Sequence, residues 1–481
     1  MTSEPGGASL PAGSRCESGF SATGTALLTD HYELTMLRAA LHSGAAHRRS
    51  VFEVFARSLP SGRRYGVAAG QGRLLDALAR FRFSDDELRF LTDTGVIDQV
   101  TLRYLESYSF GGDIWAYAEG DCYFPGSPIL VVEGTFAEAV LLETLALSIL
   151  NHDCAIASAA SRMVTAADGR PLIEMGSRRT HERAAVASAR AAYITGFGAT
   201  SNLRAGCEYG LPTSGTSAHS FMLAHDDERH AFGAQLDALG TGTTLLVDTY
   251  DVARAVAAAV ELAGPDLGAV RVDSGDLPVI AREVRVLLDS LGATRTRIVL
   301  TGDLDEYSIA ALAATPADGY GVGTSLVTGS GAPTAALVYK LVARADDAPA
   351  GPLRPVAKRS VGKPGRGGRK WAARQLDAAG TAVAEVICDA PPEPGPAARV
   401  LLRQLVRGGE IVGREPLEAA RARHRQSVAE LPAHARRLSR GYAAIPTVFA
   451  PDAQENGVPP GRERADRESP GRDSPGRDGP A

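Results

Sequence analysis

The sequence predicts an α/β protein whose centre is a parallel sheet or barrel, and three observations lead there. Between residues 245 and 341 the short apolar runs LLV (245–247), AVRV (269–272), IVL (298–300) and GYGV (319–322) alternate with segments of helical apolar spacing at 252–262, 278–291 and 306–313. Short runs without alternation read as strands buried on both faces, and strands that alternate with helices pair in parallel. The second observation is the polar group at the end of each run: Asp248-Thr249, Asp273-Ser274-Gly275-Asp276, Thr301-Gly302-Asp303 and Gly323-Thr324. In a (β/α) barrel the loops after the strands converge on one face, so these polar ends are expected to meet around one pocket. The third is length. At 481 residues the chain exceeds what one core usually serves, so two domains, or one large barrel with attached elements, are expected.

Along the chain, residues 1–24 read as a flexible leader of small and polar residues. Residues 25–145 mix helical and strand-like patterns and are expected to form a separate N-terminal α/β layer, completed by about 355–445. Residues 146–343 hold the repeated strand–helix pattern. In 344–370 Pro, Gly and cations crowd together, which suits either a mobile basic loop over a phosphate site or a plain linker. The tail, 451–481, carries SPGRD twice in succession and too little apolar surface to offset the entropy of ordering, so it is expected to be disordered.

Composition removes several classes of function. A net charge of −5 supplies no basic footprint for nucleic acid, and the apolar stretches are broken by charges before membrane-spanning length. The five cysteines show no zinc-ligand spacing and an odd total, and the N-terminus lacks a basic segment leading into an apolar run. A cytoplasmic protein in a reduced compartment is expected.

Several segments carry chemistry. Gly321-Val322-Gly323-Thr324 lets backbone N–H groups approach an anion with a hydroxyl beside them, a phosphate cradle or an ordinary turn, but not a Walker loop, which needs a Lys after the last Gly. Arg271 and Asp273 are two apart on a strand and face the same side, as a sugar-phosphate clamp or as a structural ion pair. His219 lies among small residues in GTSAHS, and Asp248 ends the next apolar run. A carboxylate at one ring nitrogen would make the other a general base or a nucleophile, although an isolated histidine also reads as a satisfied core or surface group. Tyr32 in LLTDHYELTM offers a face for a pyridine ring, and the arginines of EMGSRR can neutralise phosphate or carboxylate.

Ten ordered segments, LLTDHYELTM, FEVFARSLPSGRRYGVAAG, EMGSRR, ITGFGATSNLRAG, GTSAHS, LLVDTYD, VRVDSGDL, TGDLDEY, YGVGTSLVT and VYKLV, resemble the nicotinate phosphoribosyltransferase family over roughly residues 25–375. The resemblance implies an irregular (β/α) barrel of the type II phosphoribosyltransferase kind, with a smaller α/β domain formed mainly by the N-terminal part. It implies a homodimer with sites near the subunit interface, and nicotinate, phosphoribosyl pyrophosphate (PRPP) and ATP with Mg²⁺ as substrates and cofactor. By motif, His219 is expected to become a phosphohistidine with Asp248 orienting it. Arg178, Arg271, Asp273, Gly302 and Asp303 are expected to hold PRPP, and Gly321, Gly323 and Thr324 its 5′-phosphate. Tyr32 and Met175 would form the two sides of the nicotinate slot.

Two departures from the family pattern stand out. Met175 replaces a common aromatic residue, and the basic loop VAKRSVGKPGRGGRK is glycine-rich, with Lys358 the expected phosphate contact. Three other readings stand beside this one. Nicotinamide phosphoribosyltransferase resembles the chain but carries Asp where Ser201 stands, and a serine hydroxyl can donate to a carboxylate that an Asp would repel. Quinolinate phosphoribosyltransferase needs no ATP, against which GTSAHS argues. A non-catalytic nucleotide-binding homologue is the third. The sequence names no metal ligands.

Overall fold

The computed structural model describes residues 24–346, 351–358 and 366–450. The expected leader up to residue 23, the parts of the basic loop at 347–350 and 359–365, and the expected disordered tail lie outside the described residues.

The repeated strand–helix segment forms a six-stranded parallel sheet that curls into a half-barrel. Its order across the sheet is Ala199–Thr200, Leu172–Glu174, Gly319–Val322, Arg297–Leu300, Ala269–Val272 and Thr244–Leu246. The four expected strands and the helices Val252–Ala263, Leu277–Ser290 and Glu306–Ala311 appear within a few residues of their predicted bounds. Leu246, Val272, Leu300, Val322 and Glu174 are buried, as strands covered on both faces require. Each helix starts on a side-chain cap: Asp251 accepts from Arg254 N at 2.8 Å, Asp276 from Val279 N at 3.3 Å, and Asp305 from Ser308 N at 2.8 Å.

The two strands at one edge, Leu172–Glu174 and Ala199–Thr200, do not stand out in the sequence as apolar runs. They are three and two residues long, and tertiary pairing rather than local pattern makes them strands.

Register brings the strand ends to one edge. Glu174 pairs with Val322 and Thr200, Leu300 with Val272, and Leu246 with Arg271. Met175, Ser201, Asp248, Asp273, Thr301 and Gly323 therefore all come after strand ends on the same rim of the sheet.

A second, seven-stranded sheet is antiparallel, in the order Leu353–Pro355, Leu337–Ala345, Arg49–Ala56, Leu130–Thr135, Asp113–Tyr117, Leu402–Arg407 and Glu410–Ile411. Leu337–Ala345 straddles the end of the span expected for the barrel, 146–343, yet it pairs with Arg49–Ala56 in this sheet. Leu353–Pro355 falls inside the expected basic loop and forms its edge strand. Leu402–Arg407 enters from the C-terminal part against Asp113–Tyr117. A four-stranded sheet, Ala398–Val400, Trp371–Leu376, Ala382–Cys388 and Thr447–Phe449, lies beyond, where buried Arg374 pairs with Glu385 and donates to Cys122 O at 2.6 Å.

Helix Glu143–Ala167 joins the two cores. Its residues up to Ala155 pack with the antiparallel sheet, and those from Ile156 onward pack with the half-barrel. Among the described residues no helix is long and apolar enough to cross a membrane.

The C-terminal helix Leu417–Ala429 closes over this junction through Gly120, whose positive φ of 91° and missing Cβ let the helix backbone approach closely; a Cβ there would lie 2.2 Å from Ala420 O. Beside it His424 is buried and donates from Nδ1 to Gly120 O at 3.2 Å. Burial pushes the imidazole down to about 4, against an ordinary value of 6.5. The unfolded chain therefore binds an extra proton between these values, and stability falls as pH drops through that window, by about 3 kcal/mol in all. His424→Gln is expected to flatten the decline in melting temperature between pH 6.5 and 4.5; an unchanged slope would show that His424 does not set it.

Candidate active site

The shared rim forms a polar pocket of about 170 Å³ lined by Met175, Arg178, Arg179, Arg271, Asp273, Thr301, Gly302, Asp303, Gly321, Gly323 and Thr324. Nine of these are the residues expected from sequence. The other two are Arg179, the second of the EMGSRR arginines expected to neutralise an anion, and Thr301, expected only as one of the polar strand ends.

Arg271 and Asp273 project together from Ala269–Val272 and the loop after it. Arg271 Nη2 lies 2.7 Å from Asp273 Oδ1 and Nε donates to Thr301 Oγ1 at 2.8 Å, while the Thr301 hydroxyl donates to the same carboxylate oxygen. Arg271 Nη1 reaches the loop before His219, donating to Thr216 Oγ1 at 2.8 Å and to Ser217 O at 3.3 Å. The guanidinium is thus fixed on every nitrogen. The side chain of Asp273 keeps 28% of its surface exposed. Burial opposes its ionisation, but the hydrogen bonds from Thr301 and Arg271 and the Arg271 charge outweigh burial and hold the carboxyl below its ordinary range. The ion pair is made, and both residues line the pocket.

The glycines are demanded by space. A Cβ on Gly321 would lie 2.6 Å from Thr301 Cγ2 and 2.7 Å from Met175 Sδ, and one on Gly302, at φ 103°, would lie 2.4 Å from Asp273 O. Met175 therefore lies directly over Gly321, held by its N–H donating to Val322 O at 2.8 Å. Arg178 and Arg179 lie on the short turn Ser177–Arg179. They are exposed and make no ion pair among the described residues, which leaves both free to meet an anion.

Ser201 is exposed beside Met175, and its N–H donates to Glu174 O at 2.8 Å. Glu174, unassigned from sequence, anchors this corner. Fully buried, with its carboxyl pushed up by desolvation, it accepts from the Thr200 hydroxyl and from Gly176 N. Its identity was legible in EMGSRR; its partner Thr200 was not, because only sheet pairing brings them together.

His219 opens the short helix His219–Leu223 with 41% of its side chain exposed. Its Nδ1 is 3.2 Å from Thr249 Oγ1, and its Nε2 is 3.9 Å from Asp248 Oδ1. Asp248 thus faces the ring but does not hydrogen-bond to it, contrary to the expected carboxylate contact. The carboxylate is held through its other oxygen: Asp248 Oδ2 accepts from Asp273 N at 2.9 Å and Ser274 Oγ at 2.6 Å, while buried Oδ1, the oxygen that faces the ring, has no hydrogen-bond partner among the described residues.

Ser201, His219 and Asp248 follow strand ends or loops on this rim without lining the pocket, and two further expected residues, Tyr32 and Lys358, also lie outside its lining. Tyr32, on helix His31–Ser43, is 44% exposed and does not line the pocket. Burial and the neighbouring Glu143 and Glu33 push its hydroxyl up to about 12. Within one chain, Tyr32 and Met175 do not form two walls of a slot. Lys358 is exposed and also outside the pocket.

A larger cavity, about 610 Å³, lies between helices Gln71–Leu78, Glu182–Thr195 and Leu417–Ala429. None of the expected site residues lines it, and its charged floor is already consumed by the bidentate Arg190–Glu119 pair at 2.6 Å. The smaller pocket, with its uncommitted arginines and exposed carboxylate, is the better chemical site.

Residues 27–151 match the family model for the nicotinate phosphoribosyltransferase N-terminal domain. The chain is 59% identical over 435 residues to a nicotinate phosphoribosyltransferase of Mycobacterium tuberculosis, covering 88% of this chain and 95% of that protein. It is 37% identical to the nicotinate phosphoribosyltransferase of Bacillus subtilis, over 69% of each. The crystal structure of human nicotinic acid phosphoribosyltransferase superposes with a TM-score of 0.76 at 26% identity, over 88% of this chain and 97% of that one. With a relative this similar over nearly its whole length, and the polar strand ends of the half-barrel gathered on one rim, the chain belongs to the nicotinate phosphoribosyltransferase family.

Proposed function

We propose that the chain joins nicotinate to PRPP and couples the reaction to ATP through His219, in the salvage of pyridine nucleotides. The observation that supports this best is the clamp of Arg271, Thr301 and Asp273 opening beside two uncommitted arginines. In the reaction the pyridine nitrogen attacks the anomeric carbon, the bond to pyrophosphate breaks, and positive charge develops on the sugar. The ionised Asp273 suits that charge, and Arg178, Arg179 and Arg271 suit the leaving pyrophosphate. Gly321, Gly323 and Thr324 leave room for the 5′-phosphate.

Mg²⁺ characteristically binds through one or two carboxylates shared with substrate phosphates, and Asp273 and Asp303, both lining the pocket, fit that role. The ion would supply charge neutralisation of the pyrophosphate.

In the coupling step the γ-phosphoryl group of ATP passes to a ring nitrogen of His219, releasing ADP, and water later takes it as phosphate. Exposure of the ring supports access for the nucleotide, and Asp248 Oδ1, 3.9 Å from Nε2 and without a hydrogen-bond partner among the described residues, would stabilise a proton there. We place the enzyme in the cytoplasm as a homodimer, with Tyr32 of a second copy supplying the outer face of the ring slot that Met175 begins.

Nicotinate rather than nicotinamide is the substrate this site favours, because Ser201 offers a hydroxyl beside Met175 and no carboxylate. Steady-state assays with both pyridines are expected to give a preference of roughly 100-fold or more in kcat/KM for the acid. A preference for the amide would overturn the assignment.

A further inference from the structure

Among the described residues, Arg271 touches both halves of the proposed chemistry. Nε and Nη2 engage Thr301 and Asp273 inside the pocket, whereas Nη1 donates to Thr216 Oγ1 at 2.8 Å and to Ser217 O at 3.3 Å. Thr216 lies three residues before His219, in the loop that leads into helix His219–Leu223. Upstream the loop is tied to the sheet edge through Thr200, which donates to Pro212 O at 3.0 Å and accepts from Ser214 N at 2.9 Å. Among the described residues, Thr216 Oγ1 contacts only Arg271 and Ser217 O, and the Ser217 hydroxyl is buried without a partner. The histidine loop and the guanidinium are thus joined through Nη1, while the other two nitrogens are held in the pocket.

We infer that Thr216 is a positioning residue that ties the state of His219 to the grip of Arg271 on PRPP. The inference rests on the ATP-coupled reading above. A phosphoryl group adds nearly two negative charges and three strong acceptors to the ring, beside the carboxylate of Asp248, so the loop carrying it must readjust. The Thr216 hydroxyl carries that readjustment to Nη1. A ligand on one site shifts the other only through contacts that differ between the two states, and this hydrogen bond is such a contact.

The test uses the full chain and compares the KM for PRPP with and without ATP in wild type, Thr216→Val and Thr216→Ser, together with acid-labile labelling from γ-labelled ATP. Wild type is expected to show a lower KM with ATP. Thr216→Val should bring the ratio of the two values about fivefold closer to one while His219 still takes up label, in line with the coupling a single such contact carries, and Thr216→Ser should keep the wild-type ratio. A wild-type ratio in Thr216→Val overturns the inference. So does loss of the ratio in both variants, since the hydroxyl is then not the carrier. If wild type takes up label yet shows no effect of ATP on the PRPP KM, the link is wrong and the phosphohistidine stands. If wild type takes up no label, the ATP-coupled reading fails and the link falls with it.

Discussion

Asp273→Ala is expected to lower kcat/KM for PRPP by roughly 100-fold or more, equivalent to about 3 kcal/mol of transition-state stabilisation. The carboxylate does two things that alanine cannot. It faces the pocket as an ionised group, and it accepts from both Arg271 and Thr301. Without it the guanidinium keeps its charge but loses the partner that aims Nη2, so binding and chemistry fail together. ATP hydrolysis is expected to fall less, by under roughly tenfold, because His219 does not touch this carboxylate. Equal losses in both activities, or a melting temperature reduced enough to show unfolding, would reject a specific role at PRPP. Asp273→Asn separates the two contributions, since it keeps an acceptor and removes the charge.

The second large effect concerns His219. Wild-type protein incubated with γ-labelled ATP should acquire label that survives base and is lost in acid, and His219→Ala should acquire none. The variant should retain slow, ATP-independent formation of the mononucleotide, because Arg271, Asp273 and the glycine loop are untouched. Label persisting in His219→Ala would place the phosphoryl group elsewhere.

The half-barrel was legible because its strands are buried on both faces and its helices are amphipathic, so local pattern and tertiary role agree. The strands at 269–272 and 319–322 match their apolar runs residue for residue for that reason. The antiparallel sheet was not legible, since its partners are scattered: nothing local announces that Leu337–Ala345 belongs beside Arg49–Ala56. The site divides the same way. Arg271 and Asp273 share a strand face by simple alternation, and the glycines announce close approach. Thr301 looked like one more polar strand end, and only the parallel register, which sets Leu300 beside Val272, shows that its hydroxyl lies between them. The spacing of His219 and Asp248 was suggestive, but which groups occupy the carboxylate depends on Asp273 N and Ser274, whose approach no pattern encodes.

The order of strands in the antiparallel sheet also bears on how the chain is born. Arg49–Ala56 gains one neighbour, Leu130–Thr135, soon after it leaves the ribosome, but its other edge is covered by Leu337–Ala345, about 280 residues later. At ordinary rates of synthesis that edge stays bare for roughly 15–60 s. An apolar strand with unsatisfied N–H and C=O groups on one side is a template for pairing with another nascent chain. Yield in cells should accordingly depend on translation speed and chaperone supply more than on the stability of the finished enzyme.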